Sequence, residues 1–398
     1  MIIGIDASRA NQDIKTGTEW YSYHLIIHLS RLDRANQYVL YSKDTLKGDL
    51  KNLGPNFKSR VLNWPPKFLW SQLRLSVEML FHPPEVLFVP AHTIPLIHPP
   101  KTITTCHDVG FERYPELYET KSIGGRKFIS LILGILTRVV TFGKYGNNEL
   151  DYHRFSIRQA LKHTYRIITP SHFTRQEIIN LYKTDKNRIT VVYNGFNQSN
   201  LGKVSDESLI GRALEKYNIN KPYIFFLGRL ERKKNIKGAF AAFKLFKEKY
   251  QTEHQLVLVG KRGLGYNEAQ EIIKSSPIKN DIKEIGWIAE EDKVLLLNGA
   301  DFLYFPSFYE GFGIPPLEAL ACGLPVIASN RGSLPEILED SAIFVDPNNI
   351  QEMAQAMYQL TVDPNIRSKL IKNGLERIKI FSWQNCARQT LNVLKGIK

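Results

Sequence analysis

The stretch that decides the fold is residues 302–323, "FLYFPSFYEGFGIPPLEALACG". It opens on a short apolar run with no polar alternation, as expected of a strand covered by helices on both faces. A loop follows with glycines at 311 and 313, then Pro315-Pro316, suited to the opening of a helix, and Gly323 to stop it. Strand, loop and helix in that order make half of a βαβ unit, the building block of a parallel sheet.

The rhythm repeats along the chain. "MIIGID", "YVLYS", "VLFVP" and "TITTCHD" alternate with helical patterns in the first half, and "YIFFLG", "QLVLVG" and "PVIAS" do so in the second. Each half therefore carries enough strands for its own doubly wound α/β sheet. A chain of 398 residues also exceeds one typical core. The boundary is expected near residue 200, where "RITVVYNGFNQSNLGKVSDES" turns from apolar to polar and rich in Ser, Asn and Gly. Domains over 1–200 and 201–380 follow.

The bulk composition narrows the class. Apolar residues make up 43% and charged residues 23%, and the net charge is +14. Of that, 26 basic against 16 acidic residues give +10 over residues 1–200, and 27 against 23 give +4 over 201–398. Such a bias attracts phosphate-bearing ligands, nucleic acid or an anionic membrane, and equally describes a plain solvated face. No repeat of aromatic and basic residues supports nucleic acid. No cationic and apolar leader precedes "MIIGID", and Cys106, Cys322 and Cys386 form neither a disulfide framework nor a metal pattern. A reducing cytoplasm is the expected home. Residues 126–142, "RKFISLILGILTRVVTF", are too few to cross a bilayer. They read as a buried helix, or as an interfacial one flanked by Arg126, Lys127, Arg138 and Lys144, with "NWPPKFLW" at 63–70 as an aromatic contact.

Two constellations carry chemistry. In the opening stretch Glu310 and Glu318 stand eight positions apart with no cation between them. Buried carboxylates need partners, and at a glycine-rich strand end the hydroxyls of a sugar or ribose would serve. Helix capping is the plainer role for either glutamate. The second constellation is "YIFFLGRLERKKNIKGAF", where Gly228 ends a strand and Arg229, Arg232, Lys233 and Lys234 precede a helix starting near Asn235. Cations there face the ligand side of a parallel sheet, where Arg229 offers a fork and Lys234 a point charge to a phosphate. A solvated basic turn is the alternative. His107, with Asp108, ends "TITTCHD" and is either catalytic or a structural histidine bonding its own loop. No G-x-G-x-x-G follows the first strand, and no phosphate loop, nucleophile elbow or metal-ligand cluster is present.

Taken together these pieces resemble the large retaining family-four glycosyltransferases of the GT-B fold, over essentially the whole chain. The resemblance rests on "EGFGIPPLEALACGLPVIASNRGSLPEI", which matches the family's E-x7-E motif and the loop after it, and on "LGRLERKKN", "GWIAEEDKVLLLNGAD", "TPSHFTRQEI" and "HDVGFERYPE" in the family's order. The run from Ser333 to Glu336 resembles bacterial mannosyltransferases of that family. The likeness implies two Rossmann-like domains facing across a cleft, the first binding the acceptor and completed by a C-terminal helix at 381–398, the second binding the nucleotide sugar. It implies that Arg229 and Lys234 hold the donor diphosphate and that Glu318 bonds the ribose. Glu310 and the Gly311-Phe312-Gly313 backbone would face the donor sugar, with Leu317 beside them and Ile288 reading the base. His107 would approach the transferred sugar, and the Gly17 loop would close over the diphosphate and acceptor, although Thr18 and Glu19 stand where relatives often carry a glycine and an arginine. The expected reaction is metal-free, retaining transfer of a hexose to a glycan or lipid-linked saccharide at the cytoplasmic membrane face, without a cofactor. GDP-mannose leads as donor, ahead of UDP-glucose or UDP-N-acetylglucosamine. A GT-B-like epimerase or phosphorylase, or a non-catalytic basic protein binding nucleic acid or membrane on the same fold, are the rival readings.

Overall fold

The computed structural model describes residues 1–64, 69–118, 148–198 and 201–396. The apolar segment at 126–142 lies outside them, as do residues 65–68 of the aromatic stretch. The chain divides into two compact units, Met1–Gly195 with Trp383–Lys398, and Phe196–Ser382.

The first unit holds a seven-stranded sheet of order β3-β2-β1-β4-β5-β6-β7. Its strands are β1 (Ile2–Asp6), β2 (Gln37–Ser42), β3 (Phe57–Val61), β4 (Val86–Val89), β5 (Thr102–Thr105), β6 (Arg166–Thr169) and β7 (Ile189–Val191). The second holds a six-stranded sheet of order β10-β9-β8-β11-β12-β13. Its strands are β8 (Tyr223–Leu227), β9 (Gln255–Val259), β10 (Ile282–Gly286), β11 (Phe302–Phe305), β12 (Val326–Ser329) and β13 (Ile343–Val345). Every strand pair is parallel. The expected α/β class with one doubly wound sheet per half is what the structure shows.

Both orders turn at their own first strand. The chain builds outward from β1 through β2 and β3, then returns to lay β4 on the other flank; β8, β9, β10 and β11 repeat the pattern. A crevice at the carboxyl ends of the strands opens at such a turning point, because the following connections leave on opposite faces. Two crevices result, one above β1 and β4 and one above β8 and β11.

The helices hold these strands by burying one stripe each. In Ile236–Tyr250 the residues Ile236, Ala239, Phe240, Phe243 and Phe246 recur at helical spacing and are buried with Ile224, Phe226, Phe302 and Tyr304 of the sheet. Each phenylalanine so buried contributes roughly 1.5–3 kcal/mol. In the first unit Tyr21, Leu25 and Leu29 of the helix Gly17–Leu32 share a core with Cys386, Ala387 and Leu394 of the C-terminal helix Trp383–Lys395.

Candidate active site

The crevice above β8 and β11 is built by backbone strain and short turns. After β8, Gly228 takes φ +145°, a conformation side chains avoid, and the chain enters a single 3-10 turn at Arg232–Lys234. Asn235, at φ +59°, then caps the next helix by accepting a bond from Gly238 N at 3.2 Å, while its amide donates to the Pro347 carbonyl at 2.7 Å. This turn aims Lys234 inward. Its ammonium lies 4.8 Å above the Phe305 ring at the end of β11 and forms an ion pair and hydrogen bond with Glu310. The two side chains are 13% and 10% exposed, so neither charge could stay without the other at low cost. Phe308 N donates to the Lys233 carbonyl at 2.9 Å, which ties the loop after β8 to the loop after β11.

Glu310 is fixed from behind as well. Gly332 sits at φ +67°, and a Cβ there would lie 2.7 and 2.8 Å from the carbonyl oxygen and nitrogen of Glu310. Ser333 N donates to the Glu310 carbonyl at 3.0 Å, and its hydroxyl donates to the carbonyls of Glu310 and Phe312 at 3.1 and 3.0 Å. Gly313, at φ +100°, forms the N-cap of the helix Ile314–Ala321. The first N–H groups of a helix lack internal partners, and Pro315 and Pro316 contribute none, so Gly313 and Ile314 are the backbone donors left at this end. Leu317, one position past the prolines, is wholly buried. The Ser307 hydroxyl, 1% exposed just past β11, has no hydrogen-bond partner among the described residues.

The expectation that the two glutamates stand without partners is corrected here. Glu310 pairs with Lys234, and Glu318 accepts from Lys293 Nζ at 2.7 Å. Lys293, on the helix Glu290–Gly299, also lies 2.7 Å from Glu290 and is 9% exposed. Burial works against its charge, yet the Glu318 and Glu290 carboxylates hold its ammonium above the usual lysine range. Burial pushes the Glu318 carboxyl up while Lys293 pulls it back. Glu318 falls just past the first turn of its helix, because the helix begins at Ile314, one residue ahead of the prolines.

The remaining candidates separate. Arg229 is 60% exposed and lies 3.4 Å from Glu231. Its guanidinium has room because Gly263, whose Cβ would come within 2.8 Å of Arg229 Nε, carries no side chain. Ile288 is buried just past β10, and its neighbour Trp287 is 69% exposed. His107 and Gly17 belong to the first unit. His107 Nε2 lies 3.0 Å from the Pro90 carbonyl, which can only accept, so Nδ1 is the nitrogen left open. Burial lowers its pKa and keeps the ring neutral. Tyr21 packs edge-on against it, ring centroids 4.7 Å apart, and anchors its own hydroxyl to Thr105 Oγ1 at 3.0 Å. Gly17 opens the first helix with nothing within 4 Å of a would-be Cβ. Glu19 closes a capping box with Thr16 there and accepts from Arg9 at 3.0 Å.

Comparison with known proteins fits this geometry. Residues 16–200 match the family described as Glycosyltransferase Family 4, and residues 212–377 match Glycosyl transferases group 1. The chain belongs to glycosyltransferase family four. It is 32% identical over 249 residues to O-antigen chain mannosyltransferase B of Escherichia coli, a match spanning 62% of this chain and 65% of that relative's length. It is 25% identical over 329 residues to O-antigen chain mannosyltransferase RfbU of Salmonella typhimurium, spanning 83% of this chain and 79% of the relative. Among solved structures, WaaG, a glycosyltransferase involved in lipopolysaccharide biosynthesis, superposes with TM-score 0.72 at 12% identity, covering all of both chains. Anabaena HepE in complex with UDP and glucose superposes with TM-score 0.70 at 17% identity, covering 100% and 99%.

In this family-four protein the sequence reading missed Lys293, Gly263, Gly332 and Arg9. Lys293 lies 25 residues before its partner with no motif to join them. Gly332 offered a signal, a lone glycine between polar residues three positions after β12, but not the identity of the backbone it admits. Among the described residues no group of three or more His, Cys, Asp or Glu side chains is placed to hold a metal ion.

Proposed function

We propose that the protein is a retaining hexosyltransferase that moves a sugar, foremost mannose from GDP-mannose, to a glycan or lipid-linked saccharide in cell-surface polysaccharide synthesis. The observation that carries this reading is the Lys234–Glu310 pair set beside the free N–H groups of the helix Ile314–Ala321. Leaving diphosphate gains negative charge as the anomeric bond breaks, and a lysine, an arginine and a helix N-terminus are the groups that stabilise it. Lys234 and Arg229 take the diphosphate, Glu318 the ribose hydroxyls, Glu310 the donor sugar and the Ile288 backbone the base. The acceptor oxygen bonds to the anomeric carbon as the bond to phosphate breaks, and the acceptor proton passes to the departing phosphate on the same face. His107 is assigned to the transferred sugar by family resemblance alone. The names of the O-antigen relatives support mannose as the sugar.

A thermal-shift screen of nucleotide sugars tests the donor. Ligand at one hundred times its Kd adds about 2.7 kcal/mol to apparent stability, so GDP-mannose is expected to raise Tm most. If no nucleotide sugar moves Tm, the reading is lost. Product analysis with and without acceptor then separates a transferase from an epimerase or phosphorylase.

A membrane-face location has its own support. Leu73, Val77, Leu80 and Phe81 leave 40–69% of their surface exposed along and beside the helix Leu75–Phe81, and Leu96 and Ile97 add 41% and 47%. Leu96 N and Ile97 N both donate to Ser76 Oγ, which places that loop against the helix. Arg60 and Arg74 border the patch through Glu78, at 2.7 and 3.8 Å. An apolar stripe with cations at its edge suits an anionic bilayer surface. Among the described residues no helix is long and apolar enough to cross a membrane. Phe81→Glu with Leu80→Glu should abolish flotation with anionic vesicles; unchanged flotation would dismiss the patch.

A further inference from the structure

The amino edge of the first sheet, opposite the end that carries His107, holds a cation cluster that the transfer chemistry does not use. Residues 162–175 and 183–188 contain six basic side chains and one acidic, Asp185. Because β6 and β7 run parallel with Ile167 beside Ile189, Arg166 and Arg188 stand side by side where the two strands begin. They are held crosswise: Arg166 donates to the Asn187 carbonyl and Arg188 to the Thr164 carbonyl. Arg175, from the helix His172–Tyr182, donates to the Lys186 carbonyl at 3.2 Å. All three guanidiniums thus rest on the turn Lys186–Arg188 or on the approach to β6, and among the described residues none of them pairs with a carboxylate. Asp185 directs its own carboxylate to the turn, accepting from Asn187 N at 2.9 Å. Lys162 and Lys186 are exposed at the rim. His163 is held below the usual histidine range, by burial first and then by Lys162, His98 and Arg188, so the local field has one sign.

We infer that Arg166, Arg175 and Arg188 form a binding site for a phosphate group. Like charges set side by side repel, and an anion between them removes that cost. Each guanidinium carries several N–H donors in one plane, so a bond to a carbonyl fixes its fork and leaves other donors open. A tetrahedral phosphate offers oxygens to several forks at once, whereas a planar carboxylate is filled by one. Two sources carry such a group. The apolar patch of Leu80, Phe81, Leu96 and Ile97 ends one residue before His98, whose ring centroid lies 6.5 Å from that of His163. An anionic lipid seated at the patch would therefore present its head-group phosphate beside the cluster. Free phosphate or pyrophosphate is the other source. The site lies on the edge away from the transfer chemistry and stands whether or not the transferase reading does.

The test follows hydrogen exchange in the full chain, alone and with inorganic phosphate, pyrophosphate, phosphatidylglycerol vesicles, phosphatidylcholine vesicles or an oligonucleotide duplex. Phosphatidylglycerol or a free anion should slow exchange at Lys186–Arg188 saturably, and phosphatidylcholine should not. Protection by the anionic vesicles alone assigns a lipid head group; protection by phosphate or pyrophosphate assigns the free anion. Arg166→Gln with Arg188→Gln should raise the concentration needed about tenfold, the scale of a lost charged hydrogen bond, and leave exchange in the helix Ile236–Tyr250 as it is in the parent. Arg166→Lys with Arg188→Lys keeps the charge, removes the forks and should fall nearly as far. A lysine variant that binds like the parent would reduce the site to a general basic field and overturn it. So would protection that ignores the variants, protection by the duplex alone, or none by any probe. Arg175→Gln, which gives up only the bond to the Lys186 carbonyl, is read in the same way if the double variants fail to fold.

Discussion

At the end of β8 the second unit sets a lysine against a carboxylate; at the end of β1 the first unit sets a carboxylate near a serine, an amide and a pair of imidazoles. The strand orders around the two crevices are the same, so topology made both places and did not decide what fills them. The difference lies in loop chemistry. Positive-φ residues at Gly228, Asn235, Gly313 and Gly332 let the second crevice bring backbone and paired charges close together. The first crevice relies on a π-turn and on a carboxylate held by a serine hydroxyl and a backbone N–H.

The paired charges are where the contrast breaks most visibly. Lys293→Met leaves Glu318 buried without a cation, which should cost about 3–5 kcal/mol by urea denaturation. Adding Glu318→Leu should return most of that loss without restoring activity. A single variant as stable as the parent would remove the structural half of the comparison. Next in size is Lys234→Ala, expected to lose about 2–4 kcal/mol of transition-state stabilisation in transfer assays. Glu310→Ala should lose most activity too. The double variant Lys234→Met with Glu310→Met should fold like the parent yet stay inactive, and full activity in either single variant would sink the assignment.

These pairs also mark what could be read in advance. All eight strands expected from apolar runs are present, because central strands buried on both faces must be apolar throughout. β3, "FKSRV", and β10, "IKEIG", are edge strands with partly exposed residues, so they lack that run. The basic turn after β8 and the glycine loop after β11 were legible separately. That Lys234 answers Glu310 was not, since the two lie 76 residues apart and meet only because β8 and β11 are neighbours. The first-unit cluster had weaker signs still: Asp6, Gln72 and His92 are single polar residues beside apolar runs, indistinguishable in sequence from turn residues.

A smaller effect sharpens the role of backbone in the charged crevice. Gly332→Ala adds a methyl against the Glu310 backbone and forces a positive φ on alanine. A loss of about 1–3 kcal/mol follows from strain of this kind. Because Glu310 must shift, nucleotide-sugar affinity should fall together with Tm. Gly17→Ala meets open space and should not lower Tm; a fall in Tm comparable to that of Gly332→Ala would show that exposed space is not what sets the cost.

The last contrast is in acid. In the first unit His24 is stacked between the rings of Trp20 and Trp383, at 5.3 and 5.1 Å, and burial chiefly, aided by His28 and Arg31, draws its pKa down to about 4; His92 is drawn down to about 3. An unfolded histidine takes up its proton near pH 6.5. Below that value the unfolded chain binds more protons than the folded one, so stability present at neutral pH is lost as pH falls from about 6.5 toward 4. In the second unit the groups that favour folding by ionising are carboxylates held low, Glu268 by Lys237 and Arg232 and Asp292 by Lys216. Their contribution persists until pH falls below about 4.5. Hydrogen exchange, corrected for intrinsic rate, should therefore quicken in the helices Gly17–Leu32 and Trp383–Lys395 between pH 6.5 and 5, before it quickens in Ile236–Tyr250. The slope is at most about 1.4 kcal/mol per pH unit for each histidine. His24→Phe keeps the aromatic stack and removes the proton, so it should flatten the response of the first two helices and leave the third unchanged; equal acid sensitivity in the variant would assign the effect elsewhere.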